Sequence, residues 1–251
     1  MTANHAGSSR SLFAALFQRI QWIVFVLVAL LAAGYLAWLI LAQINFLYPL
    51  WHDLINIDRT IEVYAPQNRY RQGFEQTSKA ERSRLFAAII DAIHNHGHGL
   101  RRLVYHDAAG RPLDKLLRHA EVVHLQDVAR LIYMLRPIGI IYTIIAGVLL
   151  IAIHRQRLPV PSLLALLLGI TVPLGTVAGA ALIIGPVKVF YWLHMRIFPP
   201  GHKWFFYYQD SLMSTMMKAP DLFGYIGVTW AFLSLMLLLT FIGVARAAGR
   251  R

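Results

Sequence analysis

Three ionisable side chains, Glu121, His124 and Asp127, follow one another at intervals of three residues in the segment EVVHLQDV (121–128), shortly before a long apolar run. Residues three apart in a helix occupy neighbouring positions on one face, so these side chains are expected to form one polar stripe. A carboxylate beside an imidazole can fix its tautomer and stabilise the imidazolium, and the stripe could therefore perform general acid–base chemistry. A solvated helix end without chemistry is the alternative interpretation.

A second histidine, His194, is expected at about the same membrane depth, because it follows the outer end of the third apolar run by roughly one helical turn. Imidazole takes up and returns a proton near neutral pH, and it is the side chain used most often in general acid–base catalysis. Two interfacial histidines can equally cap helices or bind lipid headgroups. Spacing alone leaves both interpretations open.

His94, His96 and His98 form a run that resembles a metal site. Zinc does bind imidazole, but the run offers neither a carboxylate nor a fourth ligand at a defined spacing. We therefore interpret it as a helix end and predict neither a metal nor another cofactor. The sequence also contains no cysteine and no G-x-S-x-G motif, which excludes a thiolate nucleophile and a nucleophile elbow. An acyl transfer would then require direct attack of one substrate group on another.

Four apolar runs reach the ~20 residues that cross a bilayer as a helix, and 57% of the 251 residues are hydrophobic. The sequence therefore predicts an all-α integral membrane protein with four transmembrane helices and an extracytoplasmic helical loop domain. The predicted segments are a tail (1–19), spans at 20–42, 131–153, 161–187 and 222–245, outer loops at 43–130 and 188–221, an inner loop (154–160) and a second tail (246–251). Because the spans contain no His, Asp, Glu or Lys, chemistry is expected in the outer loops.

The charge distribution predicts the orientation. The two tails and the loop 154–160 contain seven arginines and no acidic residue, whereas all twelve Asp and Glu lie in 43–130 and 188–221. Short basic loops remain in the cytoplasm, so both termini are expected there and the acid-containing loops are expected outside. The net charge of +12 is accounted for by this topology, and no nucleic-acid partner is predicted.

Local patterns add expectations about the outer loops and the third span. Ser78 and Glu81 fit a capping box before an apolar stripe at helical spacing, which predicts a helix that ends near Gly97. A turn is expected around 110–112, followed by a helix that continues into the second span. Gly175 and Gly179, four residues apart in the third span, predict close helix packing. The aromatic residues of 190–208 are interpreted as anchors in the headgroup layer.

The order of these motifs resembles a known family. E-x-x-H-L-x-D-V at 121–128 is followed by L-H-x-x-x-F at 193–198, Trp204, Asp210 and P-D-L-F at 220–223. This arrangement is similar to that of the bacterial lipoprotein intramolecular transacylases (Lit). The chain departs from the family pattern at Leu193, where Phe is frequent, and at Asp221, where Glu is usual.

The resemblance implies a reaction and a site. It implies that His124 and His194 are the catalytic pair, with Trp204 and Asp210 of the matching motifs in support. From their spacing, either Glu121 or Asp127 is expected to orient His124, although Asp127 could equally pair with Arg130. The expected substrate is a diacylated bacterial lipoprotein, whose sn-2 acyl chain moves to the amine of its N-terminal cysteine and leaves a lyso-lipoprotein.

His124 is expected to act as the base and His194 as the acid, with the reverse assignment left open. The enzyme is expected as a monomer in the cytoplasmic (inner) membrane, with its site at the outer leaflet among phospholipids. The competing hypothesis is a non-catalytic membrane protein whose outer loops bind a lipid or a protein partner.

Overall fold

The computed structural model describes residues 4–156 and 161–249. Most of them are helical. The helices are α1 (Asn4–Gln43), α2 (Tyr48–Leu54), α3 (Ile57–Tyr64), α4 (Lys79–His94), α5 (His119–Gln156), α6 (Leu163–Ile184), α7 (Pro186–Ile197), α8 (Leu212–Met216) and α9 (Asp221–Gly249), and the strands are β1 (Val104–His106) and β2 (Pro112–Lys115). The predicted inner loop 154–160 and both predicted tails extend beyond the described residues.

Three of the described helices are long and apolar enough to cross a membrane, namely α1 from Leu16, α5 and α9 up to Ala247. A fourth span results if Leu168–Ile184 and Val187–Ile197 count as one broken span, since these two segments meet at an angle of 100°. Gly185, which lies between them, has a φ of +100°, a conformation that glycine adopts without steric cost. The membrane class is therefore confirmed, and α6 ends at this bend.

The chain divides into two compact units. The span unit comprises Met1–Ala37, Ile138–Val189 and Phe232–Arg251, and the loop unit comprises Trp38–Pro137 and Phe190–Ala231. The span unit has its own apolar core, in which side chains from four helices meet. This core contains Trp22, Phe25, Ala29, Ala33, Ile153, Leu166, Ile170, Leu238, Ile242 and Ala245.

The glycines of the span unit pack differently from the sequence-based expectation. A Cβ atom added at Gly175 or Gly179 would have no other atom within 4 Å, apart from its chain neighbours and its own helix backbone. The predicted close packing at these two positions is therefore wrong for the part of the chain that the structure describes. The close approach occurs at Gly139 of α5, where an added Cβ would overlap the ring of Tyr35.

The loop unit is built around a separate core. Its helix α4 begins after Ser78, whose hydroxyl accepts a hydrogen bond from the backbone N–H of Glu81 at 3.1 Å. Its predicted apolar stripe is buried, and its C-terminal turn closes through a hydrogen bond from Gly97 N–H to Ala92 C=O at 2.8 Å. The ring of Tyr48 stacks on Phe86 at 4.5 Å between centroids.

The all-α expectation is wrong in one place. Strands β1 and β2 form an antiparallel hairpin across the predicted turn. Gly110 has a φ of +80°, and the carboxylate of Asp107 accepts hydrogen bonds from the backbone N–H groups of Ala109 and Arg111, both at 2.9 Å. Such an Asx-type arrangement stabilises a tight turn, while Tyr105 in β1 is fully buried. The apolar face of the hairpin therefore completes the core of the loop unit.

Candidate active site

His124 lies in the N-terminal part of α5, within the loop unit. With 38 residues, α5 is about 57 Å long at ~1.5 Å per residue, which is nearly twice the ~30 Å hydrocarbon core of a bilayer. Its continuous apolar part starts at Leu131, and the preceding turns carry Glu121, His124, Asp127 and Arg130. His124 is thus positioned by the extension of a span and lies outside the apolar segment.

Aromatic rings surround His124. The centroid of its imidazole lies 5.0 Å from that of Phe198 and 6.1 Å from that of Phe206. Burial and, to a smaller extent, the nearby His194 lower the pKa of His124 to about 4, whereas the negative charge of Asp127 opposes the shift. Burial penalises the charged form of a histidine, so His124 is neutral at pH 7.

His194 lies on α7, one helical turn after Phe190 and one before Phe198. Its Nδ1–H donates a hydrogen bond to the backbone carbonyl of Phe190 at 2.8 Å, which leaves the lone pair of the neutral ring on Nε2. The imidazole packs against Phe190 at 3.9 Å, Trp204 at 4.8 Å and Phe198 at 5.3 Å between ring centroids. The backbone of α7 therefore orients this histidine.

The two imidazoles meet at one phenyl ring. Phe198 contacts His124 on one helix and His194 on the other, and the charge of His194 contributes to the lowered pKa of His124. The two histidines lie 70 positions apart in the sequence, His124 near the start of α5 and His194 on α7. A neutral imidazole with a free lone pair and a second imidazole that can donate N–H are thus combined within one aromatic environment.

The two carboxylates of the stripe bind other partners. Glu121 is fully buried and accepts hydrogen bonds from the Ser211 hydroxyl at 2.5 Å and from the Arg118 backbone N–H at 2.6 Å. Burial raises the pKa of Glu121, and these hydrogen bonds oppose the shift. Within the described part of the chain, Glu121 makes no hydrogen bond to the ring of His124. Its contacts connect α5 to the start of α8.

Asp127 is also engaged away from His124. Its Oδ2 lies 2.5 Å from Nδ1 of His202, and its Oδ1 lies 3.6 Å from the guanidinium of Arg130. The side chain of Asp127 is only 5% exposed, whereas that of His202 is 40% exposed. Among the described residues, Asp127 acts on His124 through its charge and without a hydrogen bond.

Trp204 and Asp210, the remaining residues that the resemblance assigned to the site, take different positions. The Trp204 ring packs against His194, as described above. Asp210 instead pairs with Arg69 at 3.1 Å, and the backbone N–H of Arg69 donates to the carbonyl of Gln209 at 2.9 Å. Asp210 therefore anchors the second outer loop to the first, and Trp204 alone of the two lines the histidine pair.

Sequence reasoning assigned no role in the site to four residues that the structure places there: Phe198, His202, Phe206 and Ser211. Phe190, His194 and Phe198 recur every four residues, and this spacing on one helical face could have identified Phe198. His202 ends the sequence Pro-Pro-Gly-His, which is a turn signal. No local signal marks Phe206 or Ser211, because their partners lie some 80 to 90 residues earlier in the sequence.

His94 and His96, in the run 94–98, make hydrogen bonds or ring contacts within the protein. The Nε2 of His94 accepts a hydrogen bond from the indole N–H of Trp38 at 2.9 Å, and its Nδ1–H donates to the carbonyl of Ile90 at 2.8 Å. The His96 ring packs against Tyr133 at 4.3 Å. Neither residues 4–156 nor 161–249 contain a group of three His, Cys, Asp or Glu side chains arranged to hold a metal ion.

Comparisons with known proteins point to one family. The sequence profile described as "Lipoprotein intramolecular transacylase Lit" matches residues 20–219, which include both site histidines. Among solved structures, the chain is similar to the membrane integral lipoprotein intramolecular transacylase Lit from Bacillus cereus, solved in meso as a point mutant, with a TM-score of 0.62, 15% sequence identity and 96% coverage of each chain. No curated protein sequence matches.

Proposed function

This chain belongs to the lipoprotein intramolecular transacylase family, whose members are acyltransferases, and from that premise we propose how it acts. It transfers the sn-2 acyl chain of a diacylglyceryl-modified lipoprotein to the α-amine of the N-terminal cysteine of the same lipoprotein, leaving a lyso-lipoprotein. The observation that carries this proposal is the pair of imidazoles, His124 and His194, that meet at Phe198. The family assignment replaces the hypothesis of a non-catalytic membrane protein.

The hydrogen bond at His194 supports its role as the base. Because Nδ1–H is directed at the Phe190 carbonyl, Nε2 is free to accept a proton. The neutral amine attacks the sn-2 ester carbonyl, and a C–N bond forms. His194 takes the proton that the attacking nitrogen loses, then returns it to the glyceryl oxygen as the ester C–O bond breaks. One amine proton therefore ends on the new hydroxyl group.

His124 is proposed as the electrophilic partner. Its low pKa keeps it neutral, and a neutral imidazole can donate an N–H hydrogen bond to the carbonyl oxygen on which negative charge develops. A preorganised donor in a site shielded from water stabilises such charge more than in solution. This assignment reverses the one that the family resemblance suggested, in which His124 was the base.

Holding the two reacting groups close together contributes further to the rate of acyl transfer. The amine and the ester belong to one lipid-modified residue, so binding that residue converts the transfer into a unimolecular step. No enzyme nucleophile is needed, which agrees with the absence of cysteine from the sequence. We propose that the protein works as a monomer in the cytoplasmic membrane, with phospholipid around it, both termini in the cytoplasm and the histidine pair at the outer leaflet.

The test is expression in bacteria that lack lipoprotein N-acylation, followed by mass spectrometry of lipoprotein N-termini. The wild-type chain is expected to produce N-acylated lyso-lipoprotein. His124→Ala and His194→Ala are each expected to lower the yield at least a hundredfold, within the range of general acid–base effects. His119→Ala is the matched control, because His119 is exposed on the same helix as His124. Unchanged diacyl lipoprotein in cells that express the wild-type chain would refute the proposal.

A further inference from the structure

A turn sets the position of His202. The backbone N–H of His202 donates to the carbonyl of Pro199 at 3.2 Å, and Gly201 has a φ of +85°. Proline in the second position and a left-handed glycine in the third are the preferences of a type II turn. Because Pro200 and Gly201 define this turn, a substitution at His202 leaves the backbone conformation intact.

This turn joins the residues that line both histidines. Phe198, just before it, contacts both imidazoles, while Trp204 and Phe206, just after it, contact His194 and His124 respectively. The segment 198–206 therefore supplies three of the rings around the histidine pair. Any displacement of this segment would open the site to water.

The contact between His202 and Asp127 fastens this segment to α5. The 2.5 Å separation of Nδ1 and Oδ2 is that of a short charge-assisted hydrogen bond. Asp127 lies one helical turn beyond His124, so the fastening point is adjacent to the catalytic imidazole. Arg130 approaches the other carboxylate oxygen at 3.6 Å from a largely exposed position.

We infer that His202 is a positioning residue, which, through Asp127, holds the segment 198–206 closed over His124 and His194 during acyl transfer. This inference rests on the proposed function, because it assigns a role within the same site. It also gives Asp127 a partner other than His124. The role requires a hydrogen-bond donor at position 202 and does not require proton transfer by His202.

The test measures kcat and KM of the purified full-length protein on a synthetic diacylglyceryl lipopeptide. His202→Ala is expected to lower kcat at least tenfold and to change KM less than twofold, because small misplacements of reacting groups reduce the rate strongly. His202→Asn keeps an N–H donor at the position of Nδ1 and should retain at least a third of wild-type kcat. His119→Ala again serves as the exposed-histidine control.

A double-mutant comparison tests whether His202 acts through Asp127. Asp127→Asn should lower kcat by a similar factor, and adding His202→Ala to it should lower kcat less than twofold further, since both changes remove one interaction. If His202→Ala fails to fold, Asp127→Asn and His202→Asn still test the contact from both sides.

The inference is wrong if His202→Ala keeps wild-type kcat, if the two losses multiply, or if His202→Asn is as impaired as His202→Ala at an unchanged melting temperature. An inactive wild-type protein would instead refute the proposed function, so the two failures are distinguishable.

Discussion

His124 is surrounded by aromatic rings instead of being backed by a carboxylate, and this environment determines its protonation. Phe198 and Phe206 exclude water from the imidazole, so its neutral form is favoured down to a pH of about 4. A neutral imidazole is the form that can donate one N–H and accept at its other nitrogen. At the residue scale, desolvation therefore keeps His124 in the neutral form that the proposed mechanism requires.

The effect of desolvation can be measured directly. In a histidine-labelled protein, NMR titration should give His124 a pKa well below the ordinary value of ~6.5. Phe206→Ala should raise this pKa, because removing the ring admits water and stabilises the imidazolium. A His124 pKa near the ordinary value in the wild-type protein would contradict the account of this residue.

At the scale of the elements, the two histidines of the site lie on helices, and a turn-containing segment places aromatic rings against them. Helix α5 extends beyond its apolar part and carries His124, while α7 begins after the bend at Gly185 and carries His194. The segment 198–206 then returns across both rings, and the contacts of Glu121 and Asp127 connect it and the start of α8 to α5. Glu121 and Asp127 thus connect separate elements of the fold.

The packing of the spans yields a paired prediction. Gly139→Ala should destabilise the protein by roughly 1–3 kcal/mol, the usual cost of overpacking, because the new methyl group would meet the Tyr35 ring. Gly179→Ala is the matched control and should be neutral or slightly stabilising, since alanine favours helix more than glycine does and the site is open. Melting temperatures in detergent would show the difference. Equal effects of the two substitutions would contradict this packing.

The sequence predicts some elements better than others, for physical reasons. The start of α4 after Ser78 and the continuation of the outer helix into the second apolar run follow from local patterns, and both are present in the structure, although α5 begins at His119 and leaves out Leu116 and Leu117. The partners of Glu121 and Asp127 are Ser211 and His202, which lie 90 and 75 residues away. Only the tertiary fold brings such groups together, so local spacing suggested an orienting role near His124. Likewise, the spacing of Gly175 and Gly179 predicted close helix packing at those positions, whereas the described structure shows a close approach at Gly139.

At the scale of the whole molecule, charge and hydropathy are the basis of the proposed orientation. Acidic residues are confined to two segments, and arginines dominate the segments at the opposite ends of the spans. This asymmetry is the positive-inside pattern, and it agrees with the proposed position of the site at the outer leaflet. The loop unit contains both histidines within Trp38–Pro137 and Phe190–Ala231.

The orientation can be tested by single-cysteine labelling, because the natural chain contains no cysteine. Ala109→Cys lies at the exposed hairpin turn, and Gln156→Cys lies at the exposed end of α5. A membrane-impermeant maleimide applied to intact spheroplasts should label Ala109→Cys at once and Gln156→Cys only after permeabilisation. The reverse pattern would contradict the proposed topology, and the unlabelled cysteine-free parent is the control.

A crossover experiment tests the central claim, transfer within one lipoprotein molecule by the histidine pair, most directly. Two synthetic diacylglyceryl lipopeptides would be mixed with the purified protein, one carrying a deuterated sn-2 acyl chain and the other a heavier peptide. Mass spectrometry is expected to show each peptide N-acylated by its own chain, no crossed products, and at least a hundredfold less product with His194→Ala. Crossed products at the statistical ratio, or full activity of His194→Ala, would contradict the account.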